Sequence, residues 1–176
     1  MEQIEIRKVD NNEVQQLQKI GLQTFIDSFA SANTEENMRK YIELAFSEKK
    51  LGEELNDPNS EFYFATLNGN VVGYLKLNFG TAQTELKDKK GLEIERIYVS
   101  KELQGKNIGQ KLYEKALELA ARIDADNVWL GVWEKNPGAI RFYKRNGFKE
   151  FDRHIFMLGD DKQWDIMMRL ELKTRF

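Results

Sequence analysis

The 176-residue chain predicts a mixed α/β (α+β) fold, one sheet with helices packed on it. Three observations predict this. The run EFYFATLNGNVVGYLKLNF (61–79) is two aromatic and β-branched stretches joined by Asn68-Gly69, the strongest short-range hairpin signal. The strand-like LEIERIYV (92–99) leads into a helical period and then into NVWLGVW (127–133), which is a strand–helix–strand order. After one more short helix, the remaining segments alternate as antiparallel strands do.

Taken in order, Ile4 and Ile6 alternate with polar neighbours as a short first strand. Asn11 or Asn12 is placed to cap a helix with Val14, Leu17, Gly21, Phe25 and Phe29 at helical spacing. Asn33 and Glu36 have the spacing of a capping box ahead of Met38, Tyr41, Ile42, Ala45 and Phe46. A third short helix should end near Asn56, where Asp57-Pro58 breaks it. The hairpin follows, and then TAQTELKDKKG (81–91) reads as a solvated loop.

In LEIERIYV the apolar set moves from Leu92 and Ile94 to Ile97 and Val99, so its parity changes around Glu95-Arg96. Side chains alternate with period two, so the change means either burial on both faces or a bulge near Glu95. Helix is expected from about Lys106 to Ile123, with Ile108, Leu112, Ala116, Leu119 and Ala120 on one face. Asn136 should cap a short helix that has Pro137 at its first position and is closed by a left-handed Gly147. Residues 148–151, 154–158 and 166–172 read as closing strands, the last two joined by a turn at Gly159-Asp160. No repeat or linker marks a second domain, so residues 1–176 read as one.

Composition removes several chemistries. With 27 basic and 29 acidic residues, the chain lacks the basic excess of a phosphate-neutralising nucleic-acid binder. There is no cysteine, hence no disulfide, thiolate nucleophile or cysteine metal site. A single histidine, His154, leaves no source for a zinc cluster or a histidine-based triad, and no metal is expected. The start MEQIEIRKVD has no apolar core of a secretory signal, and no apolar run approaches membrane-spanning length. A cytoplasmic protein with no membrane partner is the expectation.

The joint after LEIERIYV holds the most chemical information. Glycines at a strand-to-helix turn let the backbone approach an anion, and the helix N-terminus favours phosphate there. Gln104-Gly105-Lys106-Asn107-Ile108-Gly109 is neither a Walker loop nor a dinucleotide fingerprint. It resembles the R/Q-x-x-G-x-G/A pyrophosphate signature of GNAT acetyltransferases, which follows a strand ending in I-Y-V. A second signature of that family, N-x-x-A-x-x-F-Y-x-x-x-G-F, is matched within KNPGAIRFYKRNGF (135–148). One position departs from the pattern: Asn107 stands where the signature has its first glycine, and asparagine tolerates the left-handed region better than most residues. QTF, ENM-x-x-Y, LEIERIY, NVWLGVWEKN and FMLGDD further resemble the PaiA-type spermidine/spermine branch.

The resemblance implies a GNAT fold, a single mixed sheet splayed between its fourth and fifth strands with helices on both faces. It implies acetyl-coenzyme A as co-substrate, coenzyme A as product and a small primary amine, foremost a polyamine, as acceptor. Backbone groups of Ile97, Tyr98 and Val99 would pair with the pantetheine arm as an added strand does. Gln104, Gly105, Lys106, Asn107, Ile108, Gly109 and Gln110 would hold the pyrophosphate. Asn136, Pro137 and Gly138 would touch the cofactor arm, although capping a helix is by itself a sufficient role for Asn136.

Tyr143 would protonate the departing thiolate, with aromatic packing beside Phe142 as its structural alternative. A thiol has a pKa of ~8.5 and a phenol ~10, so geometry must favour that transfer. The acceptor ammonium, with a pKa of ~10.4, needs a base, which is Glu93, Glu95 or a water chain. The structural alternative for either glutamate is a salt bridge to Arg96 or a lysine. Trp133, Phe25, Asp27, Phe29, Glu36 and Tyr41 are candidates for lining an amine slot, with helix packing as their alternative. Other acceptors, a protein N-terminus or another small amine, stay open at this point, as do a non-catalytic acetyl-coenzyme A sensor and a homodimer.

Overall fold

The computed structural model describes residues 2–173. Its elements are β1 (Ile4–Lys8), α1 (Val14–Phe29), α2 (Glu35–Ala45), α3 (Glu48–Asn56), β2 (Ser60–Leu67), β3 (Asn70–Phe79), β4 (Gly91–Val99), α4 (Ile108–Arg122), β5 (Asn127–Trp133), α5 (Pro137–Arg145), β6 (Lys149–Leu158) and β7 (Asp161–Glu171). Among the described residues the strands form one sheet in the order β1-β2-β3-β4-β5-β7-β6. The β4–β5 pair is parallel and its neighbours are antiparallel, which is the predicted mixed sheet. No helix among the described residues is long and apolar enough to cross a membrane.

The β2–β3 hairpin forms at Asn68-Gly69, where φ is +49° and +84°. Two positive values are what a type I′ turn demands. The caps differ from the sequence reading. Asp10, not Asn11 or Asn12, opens the first helical segment: its amide donates to Glu13 Oε2 (2.9 Å) while Arg7 grips both Glu13 oxygens (2.8 and 2.9 Å). Thr34, not Asn33, caps α2 by accepting the Asn37 amide (3.2 Å), and Asn33 Nδ2 donates back to Phe29 O (2.8 Å). α4 starts at Ile108 rather than Lys106, with Asn107 before it at φ +66°. Asn136 caps α5 through the Ala139 amide (3.2 Å), and Gly147 closes it at φ +92°.

β4 resolves its parity change by both means. Leu77 pairs with Ile94 but Lys76 with Arg96, so Glu95 is an extra residue, a bulge. The bulge returns Ile97 and Val99 to the face already occupied by Leu92 and Ile94, where all four pack with Ile108, Leu112 and Ala116 of α4. On the other face, Phe62, Phe64 and Tyr74 pack with Leu17, Ile20 and Leu51 of α1 and α3. Helices therefore cover both faces.

β4 stays paired with β5 only at Gly91–Asn127, Leu92–Val128 and Glu93–Trp129. Beyond that point β4 follows β3 to Val99 while β5 follows β7 to Trp133. The sheet splays there, between its fourth and fifth strands.

Two expectations are corrected. The segments expected at 148–151 and 154–158 are not separate strands but one, β6, which begins at Lys149 and is interrupted by a bulge between Glu150 and Asp152, and the last strand begins at Asp161 rather than Ile166. The turn at Gly159-Asp160 is where the sequence puts it. The 81–91 segment is largely solvated, as the sequence suggests, with Thr81, Thr84, Glu85, Lys87, Lys89 and Lys90 exposed, but it plants one polar residue in the interior. Gln83 is fully buried, donates to Gly80 O (3.0 Å) and Asp88 O (2.7 Å), and accepts from Trp129 Nε1 (2.8 Å). The Gln83 amide is satisfied internally by backbone carbonyls and an indole, not by water. Gln83→Ala should therefore cost about 2–3 kcal/mol, because it leaves the buried indole N–H and the Gly80 carbonyl without this partner, whereas Asp88 O keeps the Gly91 amide (3.0 Å); urea unfolding should show a lower midpoint at unchanged slope.

Candidate active site

The splay opens onto two adjoining clefts. One, of about 530 Å³, is lined by Val99, Gln104, Gly105, Asn107, Ile108 and Gly109 with Phe142, Arg145 and Asn146. The other, of about 250 Å³, is lined by Ile97, Tyr98 and Tyr143 together with Glu93, Glu95, Trp129 and Trp133. Consecutive residues of β4 (Tyr98 and Val99) and of α5 (Phe142 and Tyr143) face different clefts, so the two meet at the opening between β4 and α5.

The larger cleft ends at the N-terminus of α4. The first amides of a helix have no intrahelical acceptor and carry its positive dipole end. No acidic residue occupies the first turn. Gly105 needs its glycine for φ +85°, but at Gly109 a Cβ would meet nothing within 4 Å. The protein's own packing does not call for that glycine, whereas a ligand lying against the amides would. Lys106 turns away to Glu2 (3.4 Å), and neither it nor Pro137 nor Gly138 lines either cleft.

In the smaller cleft, Tyr143 is buried against Phe142 and Phe148, with ring centroids 5.4 and 5.7 Å away. Burial raises its phenol above the ordinary range, so the group stays protonated. The two glutamates share a face: Asn78 Nδ2 donates to Glu93 Oε1 (2.9 Å) and to Glu95 Oε2 (2.8 Å). Glu93 also accepts the Thr84 amide (2.9 Å) and the Thr84 hydroxyl. Burial pushes Glu93 up, with help from the Glu95 charge, and these hydrogen bonds oppose the shift without cancelling it. Burial pushes Glu95 up as well, but the Lys76 ammonium (2.5 Å) and the Arg96 guanidinium outweigh it and hold Glu95 below the ordinary range. A lysine salt bridge thus exists for Glu95; the bonds to Glu93 come from Asn78 and Thr84.

Of the slot candidates, Phe25, Phe29, Tyr41 and Trp133 line this cleft, whereas Asp27 and Glu36 do not. Three polar residues that sequence reasoning missed also line it: Glu85, His154 and Asp165. Asp165 is brought opposite Trp133 and His154 by strand pairing. Burial, with the Glu85 charge, pushes its carboxyl up to about 6 against the pull of His154. The available signal was the polar alternation within QWDIMM and DRHIF, which indicates a strand but not its neighbours.

The model of the acetyltransferase (GNAT) family matches residues 22–148. A protein of Lactobacillus delbrueckii subsp. lactis, described as an uncharacterized N-acetyltransferase in the pepI 3′ region, is 41% identical over 96% of this chain and 98% of its own length. A spermidine N(1)-acetyltransferase of Thermoplasma acidophilum is 26% identical over 85% of this chain and 90% of its own. The crystal structure of the PaiA N-acetyltransferase from Thermoplasma acidophilum in complex with coenzyme A superposes with a TM-score of 0.80 at 22% identity, covering 96% of this chain and 99% of that one. By the family match and the 41% identical relative, the chain belongs to the GNAT family of acetyltransferases and is an N-acetyltransferase.

Proposed function

We propose that the protein moves the acetyl group of acetyl-coenzyme A to a primary amine of a polyamine, spermidine or spermine, by direct attack. The observation that carries this reading is the meeting of an amide-lined groove with a cleft where Glu85, Glu93, Glu95 and Asp165 face aromatic walls. Carboxylates beside aromatic side chains suit an aliphatic polycation, whose ammonium groups are attracted by both. The spermidine-acetylating relative and the PaiA neighbour support the same acceptor class.

Acetyl-coenzyme A fits the residues present, given the free edge of β4, the open helix N-terminus and the unfilled space at Gly109. Bound there, it supplies an acyl thioester. The edge of β4 at Ile97, Tyr98 and Val99, which β5 leaves unpaired, would face its amide arm. The amides from Gly105 to Gln110 hold its pyrophosphate. Asn107 keeps the left-handed shape of that loop without a glycine.

Glu95, held ionised by Lys76, draws the acceptor ammonium into the cleft. Glu93, the more basic of the pair, takes its proton on Oε2, directly or through water, and frees the attacking lone pair. Tyr143 gives the proton on Oη to the departing sulfur. The chain has no cysteine to carry an acyl group, so the amine attacks the thioester itself.

With saturating acetyl-coenzyme A and a panel of polyamines, monoamines, amino acids and peptides, spermidine or spermine should give the highest kcat/KM; no turnover of either would reject the polyamine reading. Tyr143→Phe should lower kcat by about 100-fold while coenzyme A binding stays unchanged in calorimetry. Glu93 works in its ionised form, and its pKa is raised. Its contribution is therefore present above that raised value and lost as pH falls through it, earlier than for an ordinary glutamate. Glu93→Gln should remove this acid limb from the kcat/KM profile, whereas Glu95→Gln should keep the limb and raise KM.

A further inference from the structure

Glu93 borders the acceptor cleft, yet the residue is only 3% exposed. Its Oε1 accepts two hydrogen bonds, from Asn78 Nδ2 (2.9 Å) and from the Thr84 amide (2.9 Å), which together occupy both lone pairs of that oxygen. Its Oε2 accepts the Thr84 hydroxyl, and among the described residues no other hydrogen bond reaches it. Thr84 is itself exposed and lines the same cleft. The protein group bonded to the remaining oxygen of this buried carboxylate is therefore a hydroxyl that a molecule in the cleft can touch.

Thr84 holds this place because its neighbour is anchored. It belongs to the polar segment between β3 and β4, most of which faces water. Gln83 is buried there, and its amide is bonded to Gly80 O and Asp88 O, on either side of Thr84 in sequence, and to the Trp129 indole. With Gln83 fixed, both the amide and the hydroxyl of the next residue close on Glu93, although an exposed threonine could leave both to water. A hydroxyl has one hydrogen to donate and two lone pairs that accept. The Thr84 Oγ1 that donates to Glu93 can thus accept from an ammonium group at the same moment.

We propose that the Thr84 hydroxyl is a catalytic group that relays the proton from the acceptor ammonium to Glu93. This rests on the reading of Glu93 as base given above and names the group that connects it to the substrate. In the step, an N–H bond of the ammonium breaks and its proton bonds to Thr84 Oγ1, while the hydrogen already on Oγ1 passes to Glu93 Oε2. The two transfers occur together, so threonine is neutral before and after. The nitrogen keeps the electron pair for attack on the thioester, and the charges of the ammonium and of Glu93 are both discharged. Glu95, the charged group that faces Glu93, stays ionised beside Lys76 and holds the ammonium during the transfer. After turnover the proton leaves Glu93 through the same hydroxyl to water.

The test is the pH dependence of kcat for the full chain and three variants, with the amine that the panel above shows to be turned over best. Thr84→Val removes the hydroxyl and keeps the shape. It should lower kcat by about tenfold or more even on the alkaline plateau, where Glu93 is ionised. Thr84→Ser keeps the hydroxyl and should stay within about a factor of two of wild type. Thr84→Ala against Thr84→Ser repeats the contrast without the branched methyl. The Thr84 hydrogen bonds lower the Glu93 pKa, so losing the hydroxyl should also move the acid limb of Thr84→Val to higher pH.

A hydroxyl that merely held Glu93 in place would behave differently. Thr84→Val would then show the shifted limb but reach the wild-type kcat on the plateau, and that result would overturn the proposal. Thr84→Ser as slow as Thr84→Val would overturn it too. The base reading is separable from the relay. Wild-type turnover by Glu93→Gln would remove the base and the relay with it, whereas a slow Glu93→Gln beside a Thr84→Val at the wild-type plateau would remove the relay alone.

Discussion

One extra residue in β4 arranges most of the molecule. Without the bulge at Glu95, a regular strand that buries Leu92 and Ile94 under α4 would turn Ile97 and Val99 to the opposite face. With it, the apolar positions stay under α4 along the whole strand, and the polar ones gather on the side covered by α1 to α3. Bulges bend a strand and increase its twist. Here the bend falls directly after Glu93, the last residue of β4 paired with β5. The local kink, the splay of the sheet and the placing of two glutamates at its mouth are therefore linked.

The charges gathered by that bulge must be compensated in place. Lys76 lies opposite it and is itself buried, bonded to Glu95 and to Glu54 of α3 (3.0 Å). Arg96 reaches Glu54 as well (3.7 Å) and stacks on Phe46 (4.9 Å from the ring centroid). Burying charges is costly unless they are paired, and this cluster pairs them through residues of three elements, although Glu54 Oε2 and Arg96 Nη1 make no hydrogen bond. Glu95 stays ionised in a dry place as a result. Glu93, which lacks a cation of its own, rises in pKa instead. Two carboxylates bridged by one asparagine thus acquire different proton affinities, which suits one for charge and the other for proton transfer.

The legible parts of the fold were those decided by local chemistry. Asn68-Gly69 could make a type I′ turn, and Gly147 could close a helix, with little dependence on the rest of the chain. The parity change at Glu95-Arg96 was visible too, because alternation is a property of the strand itself. Where two local candidates compete, tertiary contacts decide: Arg7 stabilises Glu13 and so favours Asp10 over Asn11 as the first cap, although the three residues look interchangeable in sequence. The 81–91 segment was legible as largely solvated, but not its one buried polar residue: Gln83 finds its partner in Trp129, which is distant in sequence.

The site divides along the same line. Its proposed cofactor half lies in two short signatures that form a helix N-terminus and a strand edge, features visible locally, although Lys106, Pro137 and Gly138 line neither cleft. Its acceptor half is made by sheet pairing. Glu93 comes from β4, His154 from β6 and Asp165 from β7, and they share a cleft only because β7 inserts between β5 and β6. Nothing local to QWDIMM distinguishes Asp165 from an exposed strand residue. Overall charge is equally silent, since 27 basic and 29 acidic residues say nothing of where either sign collects. On the proposed reading, acceptor choice depends on long-range strand pairing whereas the cofactor groups fall in two short local segments, so acceptor preference could change through a few strand positions while the loop at 104–110 and Tyr143 stay as they are.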